Sequence, residues 1–166
     1  LADYDAAMSG CLILDIRMVG MTGIELHDRL QQLGCVMPTI FLTGHGEVPL
    51  AVKALKRGAF DFIEKPFNDN ELADRVIEAL RHEEIRRGRD ADRARIEERL
   101  ATLTEREREV MTAILAGKLN KVIADELQIA MRTVEVHRAH IFEKMGVRSA
   151  VELAQRLSLL ASMGSR

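Results

Sequence analysis

Three residues in the first half of the chain, Asp15, Thr43 and Lys65, carry the groups that phosphoryl chemistry needs. Each sits at or just past the end of a short apolar run: Cys11-Leu12-Ile13-Leu14, Thr39-Ile40-Phe41-Leu42 and Asp61-Phe62-Ile63. A carboxylate can attack phosphorus, a hydroxyl can donate to a phosphoryl oxygen, and an ammonium can neutralise the charge that develops. Taken singly, each has a plainer use: Asp15 as a loop cap, Thr43 as a β-branched strand residue, Lys65 as a surface charge. His45, two residues past Thr43, reads as a loop residue rather than a catalyst.

A second group lies near the other end. At 100° per residue, Arg132, Val136, Ala139 and Glu143 fall opposite Val134, His137, Arg138, Ile141 and Met145, with Glu135 and His140 flanking. Arg132 and Glu135 could read base edges, and Val136 and Ala139 are small enough to approach thymine methyls in a major groove. Lys121, Thr133, Arg138 and Lys144 are placed to hold phosphates, contacts that position a protein without specifying sequence. The pattern alone fits a plain helical bundle equally well.

The elements that must position these groups follow from periodicity and punctuation. The three apolar runs read as buried strands, and Gly23–Leu33 and Val48–Arg57 have helical spacing between them, stopped by Gly34 and Gly58. Strand, helix, strand, helix, strand implies a parallel sheet, whose carboxyl edge is where ligands bind. A further helix starts near Asp69 or Asn70 with Leu72, Val76, Ile77 and Leu80 on its stripe. From His82 to Arg99 the chain is almost wholly charged, which predicts a solvated helical linker with Glu83 near Arg86 and Arg87, Arg93 near Glu97, and Gly88 as its weak point.

Four helices are expected beyond it. Thr104-Glu105-Arg106-Glu107 and Ser149-Ala150-Val151-Glu152 have the capping-box pattern, Asn120 can cap the second helix, and Thr133 or its neighbours open the third.

The overall charge of −2 hides a division. Residues 1–81 carry 12 acidic against 8 basic side chains, residues 82–99 carry 6 of each, and residues 100–166 carry 8 against 10. Only the last part is suited to a nucleic-acid partner. With 47% apolar and 4% aromatic residues, the cores must rest on aliphatic side chains. Neither a secretion signal nor a membrane span is apparent, and Cys11 and Cys35 lack metal-ligand spacing, so buried free thiols in a reducing cytoplasm are expected.

Leu103-Thr104-Glu105-Arg106-Glu107-Arg108-Glu109-Val110, Asn120-Lys121-Val122-Ile123-Ala124 and Thr133-Val134-Glu135-Val136-His137, with Ile141 and Lys144-Met145, closely resemble the LuxR-type helix-turn-helix of FixJ/NarL regulators. That resemblance implies binding to double-stranded promoter DNA, and a fourth helix that makes the dimer contact through Val151, Ala154 and Leu157. Ala130 departs from the family, which usually has serine or threonine there.

Asp15-Ile16-Arg17-Met18, Gly20-Met21-Thr22-Gly23, Leu42-Thr43-Gly44-His45 and Gly58 to Phe67 resemble the receiver domain of two-component response regulators, with Val19 at a position where proline is common. The resemblance implies that Asp15 is the phosphoacceptor, Thr43 the switch hydroxyl, Lys65 the phosphate lysine before a cis-proline, and Phe62 the aromatic that reports phosphorylation. It further implies a sensor histidine kinase as phosphodonor, Mg²⁺ at the phosphoacceptor, and homodimerisation through Val48–Arg57, Asp61–Ile63 and the following helix. The acidic pair that would hold Mg²⁺, with the first two strands of a receiver, is absent from this sequence. Productive Mg²⁺ binding by this chain is therefore not expected.

The expected architecture is an α/β receiver, a flavodoxin-like parallel sheet lacking its first two strands, over residues 1–81. A charged helical linker spans 82–99 and an all-α four-helix LuxR-type domain spans 100–166. The expected protein is a cytoplasmic, DNA-binding transcriptional regulator switched by phosphorylation, with RNA polymerase as a further partner. The rivals are a phosphorylation-independent or dominant-negative regulator and, from another class, a phosphotransfer protein with a catalytic output.

Overall fold

A computed structural model of the chain describes residues 4–5, 7–44, 46 and 48–163; His45 lies outside the described residues. The chain divides into two units, residues 1–88 and 89–166.

In the first unit, strands β1 (Leu12–Asp15), β2 (Thr39–Thr43) and β3 (Asp61–Glu64) form a parallel sheet in the order β1-β2-β3. Helices α1 (Gly23–Gln32) and α2 (Val48–Lys56) are the crossovers between them. Side chains alternate across a strand, so β2 feeds two cores. Phe41 joins Leu14, Ile16, Ala51 and Ala54 on one side, and Ile40 joins Ile63 and Ala79 on the other. Phe41 and Ile40 are both fully buried, each contributing about 1.5–3 kcal/mol of hydrophobic stabilisation. His27 of α1 is also buried, edge-on to Phe41 with ring centroids 5.5 Å apart, and burial pushes its pKa down against the pull of Asp28. On β1, Ile13 is 44% exposed whereas Leu14 is buried.

The thiols differ from expectation. Cys11 and Cys35 are free but only half-buried: Cys11 packs on the edge of the Ile40, Ile63 and Ala79 core and Cys35 lies in the connection between α1 and β2; burial still pushes the Cys11 thiol up.

Helix α3 runs unbroken from Asp69 to Ala101. Its residues are not uniformly solvated. Ala79 is buried in the first unit, Glu83 is 3% exposed with its carboxylate held by Arg86 at 2.8 and 2.9 Å, and Ile96 belongs to the core of the second unit. The Arg93–Glu97 pair forms at 2.8 Å as spacing requires, and Gly88 remains helical.

The second unit packs α4 (Glu105–Leu115), α5 (Asn120–Leu127), α6 (Met131–Met145) and α7 (Ala150–Met163) around Val110, Ile123, Val134, Ile141, Met145 and Leu153. The Thr104–Glu107 capping box is complete. At α7 the box is shifted: Ser149 Oγ accepts from the Glu152 amide at 3.1 Å, but the Glu152 carboxylate reaches the Arg148 amide at 2.7 Å. Asn120 does not cap α5. Leu119, with extended backbone, holds the cap position, so Asn120 becomes the first helical residue. Among the described residues no helix is long and apolar enough to cross a membrane.

Candidate functional site

Parallel register brings the three candidate residues of the first unit to one edge. Asp15 is the register partner of Leu42, and Thr43 that of Glu64, so all three strands end together with Lys65 one residue beyond β3. The edge is fastened by backbone bonds from the Ile16 amide to the Leu42 carbonyl, 3.0 Å, and from the Lys65 amide to the Thr43 carbonyl, 2.7 Å.

Lys65 Nζ forms an ion pair with Asp15 Oδ2, and the other carboxylate oxygen accepts from the Arg17 amide at 3.0 Å. The Lys65 ammonium, with the Arg17 amide, holds the Asp15 carboxyl below its ordinary range against partial burial. Asp15 is therefore ionised at neutral pH and partly accessible. Thr43 is fully buried, and among the described residues its Oγ1 has no hydrogen-bond partner. An unpaired buried hydroxyl costs about 1–3 kcal/mol. Phe62 is half-buried against the Phe41 core, and Lys65–Pro66 is the cis peptide bond that the resemblance implied.

Sequence reading missed what seats the Asp15 loop. Thr22 caps α1 in a full capping box with Glu25, legible as Thr-x-x-Glu, and places Gly23 against β1. A Cβ on Gly23 would lie 2.2 Å from the Asp15 carbonyl oxygen, so only glycine permits this approach.

The described residues do not complete a magnesium site. The Asp15 carboxylate oxygens are engaged by Lys65 and the Arg17 amide, and no cluster of three or more His, Cys, Asp or Glu suited to a metal occurs among the described residues.

In the second unit α6 turns Val134, Ile141 and Met145 inward and leaves Arg132, Thr133, Val136 and Ala139 exposed, with Lys121 exposed on α5. Arg132 pairs with Glu135 at 2.9 Å, so the two candidate base-readers are mutually neutralised in the free protein. Arg138 lies over the Phe142 ring, 5.4 Å from its centroid. Lys144 has a different occupation: its Nζ is 2.7 Å from Glu107 Oε2 and donates to the Thr102 carbonyl at 3.2 Å. Glu107 is 3% exposed; burial opposes its ionisation, but Lys144 and the Thr104 cap outweigh it and leave its pKa lowered. Lys144 is thus engaged within the domain while its side chain stays 33% exposed. On α7, Val151 and Ala154 are exposed, Leu157 packs partly on the core, and Leu153 fills it.

Comparison with known proteins agrees with both halves. Residues 1–77 match the response regulator receiver domain and residues 101–157 match the family described as bacterial regulatory proteins, luxR family. The chain is 52% identical over 157 residues to the C4-dicarboxylate transport transcriptional regulatory protein DctR of Rhodobacter capsulatus, covering 93% of this chain and 80% of that protein. It is 45% identical over 154 residues to the transcriptional regulatory protein FixJ of Bradyrhizobium diazoefficiens, covering 93% and 75%. Among solved structures, the response regulator StyR superposes with a TM-score of 0.86 at 38% identity, covering 95% of this chain and 79% of that one. The chain thus belongs to the FixJ-like, LuxR-type response regulators, DNA-binding transcriptional regulators controlled by phosphorylation of a receiver domain.

Proposed function

We propose that Asp15 is the phosphoacceptor and that α6 is the helix that reads promoter DNA. The observation that carries the first is the ionised Asp15 paired with Lys65 beside a buried, unpartnered Thr43 hydroxyl at one sheet edge. An Asp15 oxygen attacks the phosphorus of a phosphohistidine on a sensor kinase. The new O–P bond replaces the N–P bond, and the imidazole leaves with the bonding pair. Lys65 compensates the added charge, Thr43 donates to a phosphoryl oxygen, and Phe62, next to the Phe41 core, follows that movement. Mg²⁺, which receiver domains use for this reaction, would supply further neutralisation, but the described residues do not complete its site.

For the second, the exposed Arg132, Val136 and Ala139, with the half-buried Glu135, form the base-facing surface, with Lys121, Thr133 and Arg138 on phosphates. The exposed Val151 and Ala154, with Leu157, supply a homodimer contact, and linking two reading domains raises affinity without new base contacts. The protein acts in the cytoplasm by binding rather than by turnover, and RNA polymerase is the partner at the promoter.

Incubation with phosphoramidate followed by intact-mass measurement tests the phosphoacceptor: one phosphoryl group is expected on the chain and none on Asp15→Asn. Equal labelling of Asp15→Asn would overturn the assignment. Ala139→Glu is expected to abolish electrophoretic retardation of promoter DNA, and unchanged retardation would remove α6 from the groove.

A further inference from the structure

The end of α6 is held by two arginines, one of them, Arg99, outside the residues that match the LuxR family. The Met145 carbonyl, in the last turn of α6, accepts from Arg99 Nη1 at 2.8 Å and from Arg156 Nη1 at 3.1 Å. Arg99 lies in the last turn of α3, before the 101–157 match and after the 1–77 match. Lys144 returns a bond to the Thr102 carbonyl, so the ends of α3 and α6 are joined in both directions. Ile96, one turn before Arg99, is 5% exposed within the core of the same unit.

The room for this clamp is made by Gly146. It closes α6 in the left-handed conformation, φ 62° and ψ 43°, and a Cβ there would lie 1.9 Å from Arg99 Nη1. The last carbonyls of a helix have no partner within it and carry its partial negative charge, so two guanidiniums on one such carbonyl meet both demands.

We infer that Arg99 and Arg156 are positioning residues for DNA recognition, and that the Ile96–Arg99 turn of α3 is a working part of the DNA-binding unit. Neither arginine reaches a base in this role. They fix the axis of α6 at its far end while Arg132, Glu135, Val136 and Ala139 act nearer its start. A small tilt at Met145 displaces those side chains from base edges, whereas flexible phosphate contacts at Lys121 tolerate it. The inference rests on α6 being the reading helix.

The test uses the full chain and a duplex enriched from a randomised DNA pool by that chain, with a scrambled duplex as reference, both titrated by fluorescence anisotropy at one salt concentration. Arg99→Met is expected to weaken binding to the enriched duplex about tenfold and to the scrambled duplex less than about twofold, and Arg99→Met with Arg156→Met to reduce discrimination further. Arg99→Lys, which keeps a donor, restores part of the ratio. A fraction of unfolded protein lowers both affinities equally and leaves the ratio unmoved, so an unchanged ratio in Arg99→Met overturns the inference. Amide hydrogen exchange of the free protein provides an arm without DNA: Arg99→Met should speed exchange in the last turn of α6 and spare its first. Unchanged protection there overturns the clamp, whatever DNA shows. Failure of the unaltered chain to enrich any duplex would instead refute the reading of α6, and the exchange arm would still decide the clamp.

Discussion

Lysine ammoniums hold two carboxylates ionised, Asp15 through Lys65 and Glu107 through Lys144, and their surroundings make the consequences differ. The Asp15 and Lys65 side chains are 34% and 41% exposed, so solvent screens their pair and little stability rests on it. Its effect is on ionisation. Lys65→Met should move the Asp15 titration upward, read by carbon NMR of its carboxyl, and an unmoved midpoint would show that Lys65 does not set it. Because the folded pKa is the lower one, any stability from the pair is present above the unfolded carboxyl value, about 3.9, and is lost as pH falls through the folded value. Glu107 is 5% exposed at its side chain and Lys144 33%. Removing Lys144 leaves a buried carboxylate with the Thr104 amide and, 3.9 Å away, His140 Nδ1, and Lys144→Met should destabilise the protein by about 2–3 kcal/mol at neutral pH in urea denaturation. The same sign applies: the difference should shrink as pH drops through the lowered Glu107 value, where the protonated acid no longer needs the ammonium.

Helix ends govern the elements that carry function. Helix α1 begins with a full capping box and a glycine pressed on the Asp15 carbonyl. Gly23→Ala must push α1 away from β1, and overpacking of this kind costs about 1–3 kcal/mol. A shift in thermal unfolding should accompany loss of the Asp15 phosphoryl mass, and a variant of unaltered stability would show that the backbone gives way freely. Helix α6 starts without side-chain help: Ala130 holds the cap position at φ −67° and ψ 145°, a conformation serine adopts readily. Ala130→Ser should stabilise the domain by about 0.5–2 kcal/mol, measured as a rise in the denaturation midpoint.

Across the whole molecule charge is divided as function is. Residues 1–88 hold 14 acidic and 10 basic side chains, and residues 89–166 hold 12 and 14. The excess of positive charge is slight, so under the proposed reading attraction to DNA comes from the placement of Lys121, Arg132 and Arg138 rather than from net charge. Binding should still weaken linearly in the logarithm of salt concentration. Lys121→Met should flatten that slope by about 1 and weaken all duplexes alike. A slope that Lys121→Met leaves unchanged would take Lys121 off the phosphates.

Periodicity and punctuation in the chain were enough to place the strands ending near Asp15, Thr43 and Lys65, because short apolar runs between turn residues and helical spacing are local consequences of backbone geometry. Parallel pairing then followed from strand-helix-strand order, and with it the meeting of those three residues at one edge. The family resemblance supplied their chemistry. What local pattern could not supply was partnership across long separations. Lys144 read as a free cation on a helix, yet it lies 37 residues from the glutamate that claims it. Arg99 read as part of a solvated linker, yet it caps a carbonyl 46 residues away. With 24 basic and 26 acidic side chains, sequence offers every such charge many possible partners. Packing chooses among them, since a buried carboxylate or a helix-end carbonyl withdrawn from water must be met by whichever donor the folded backbone brings within reach.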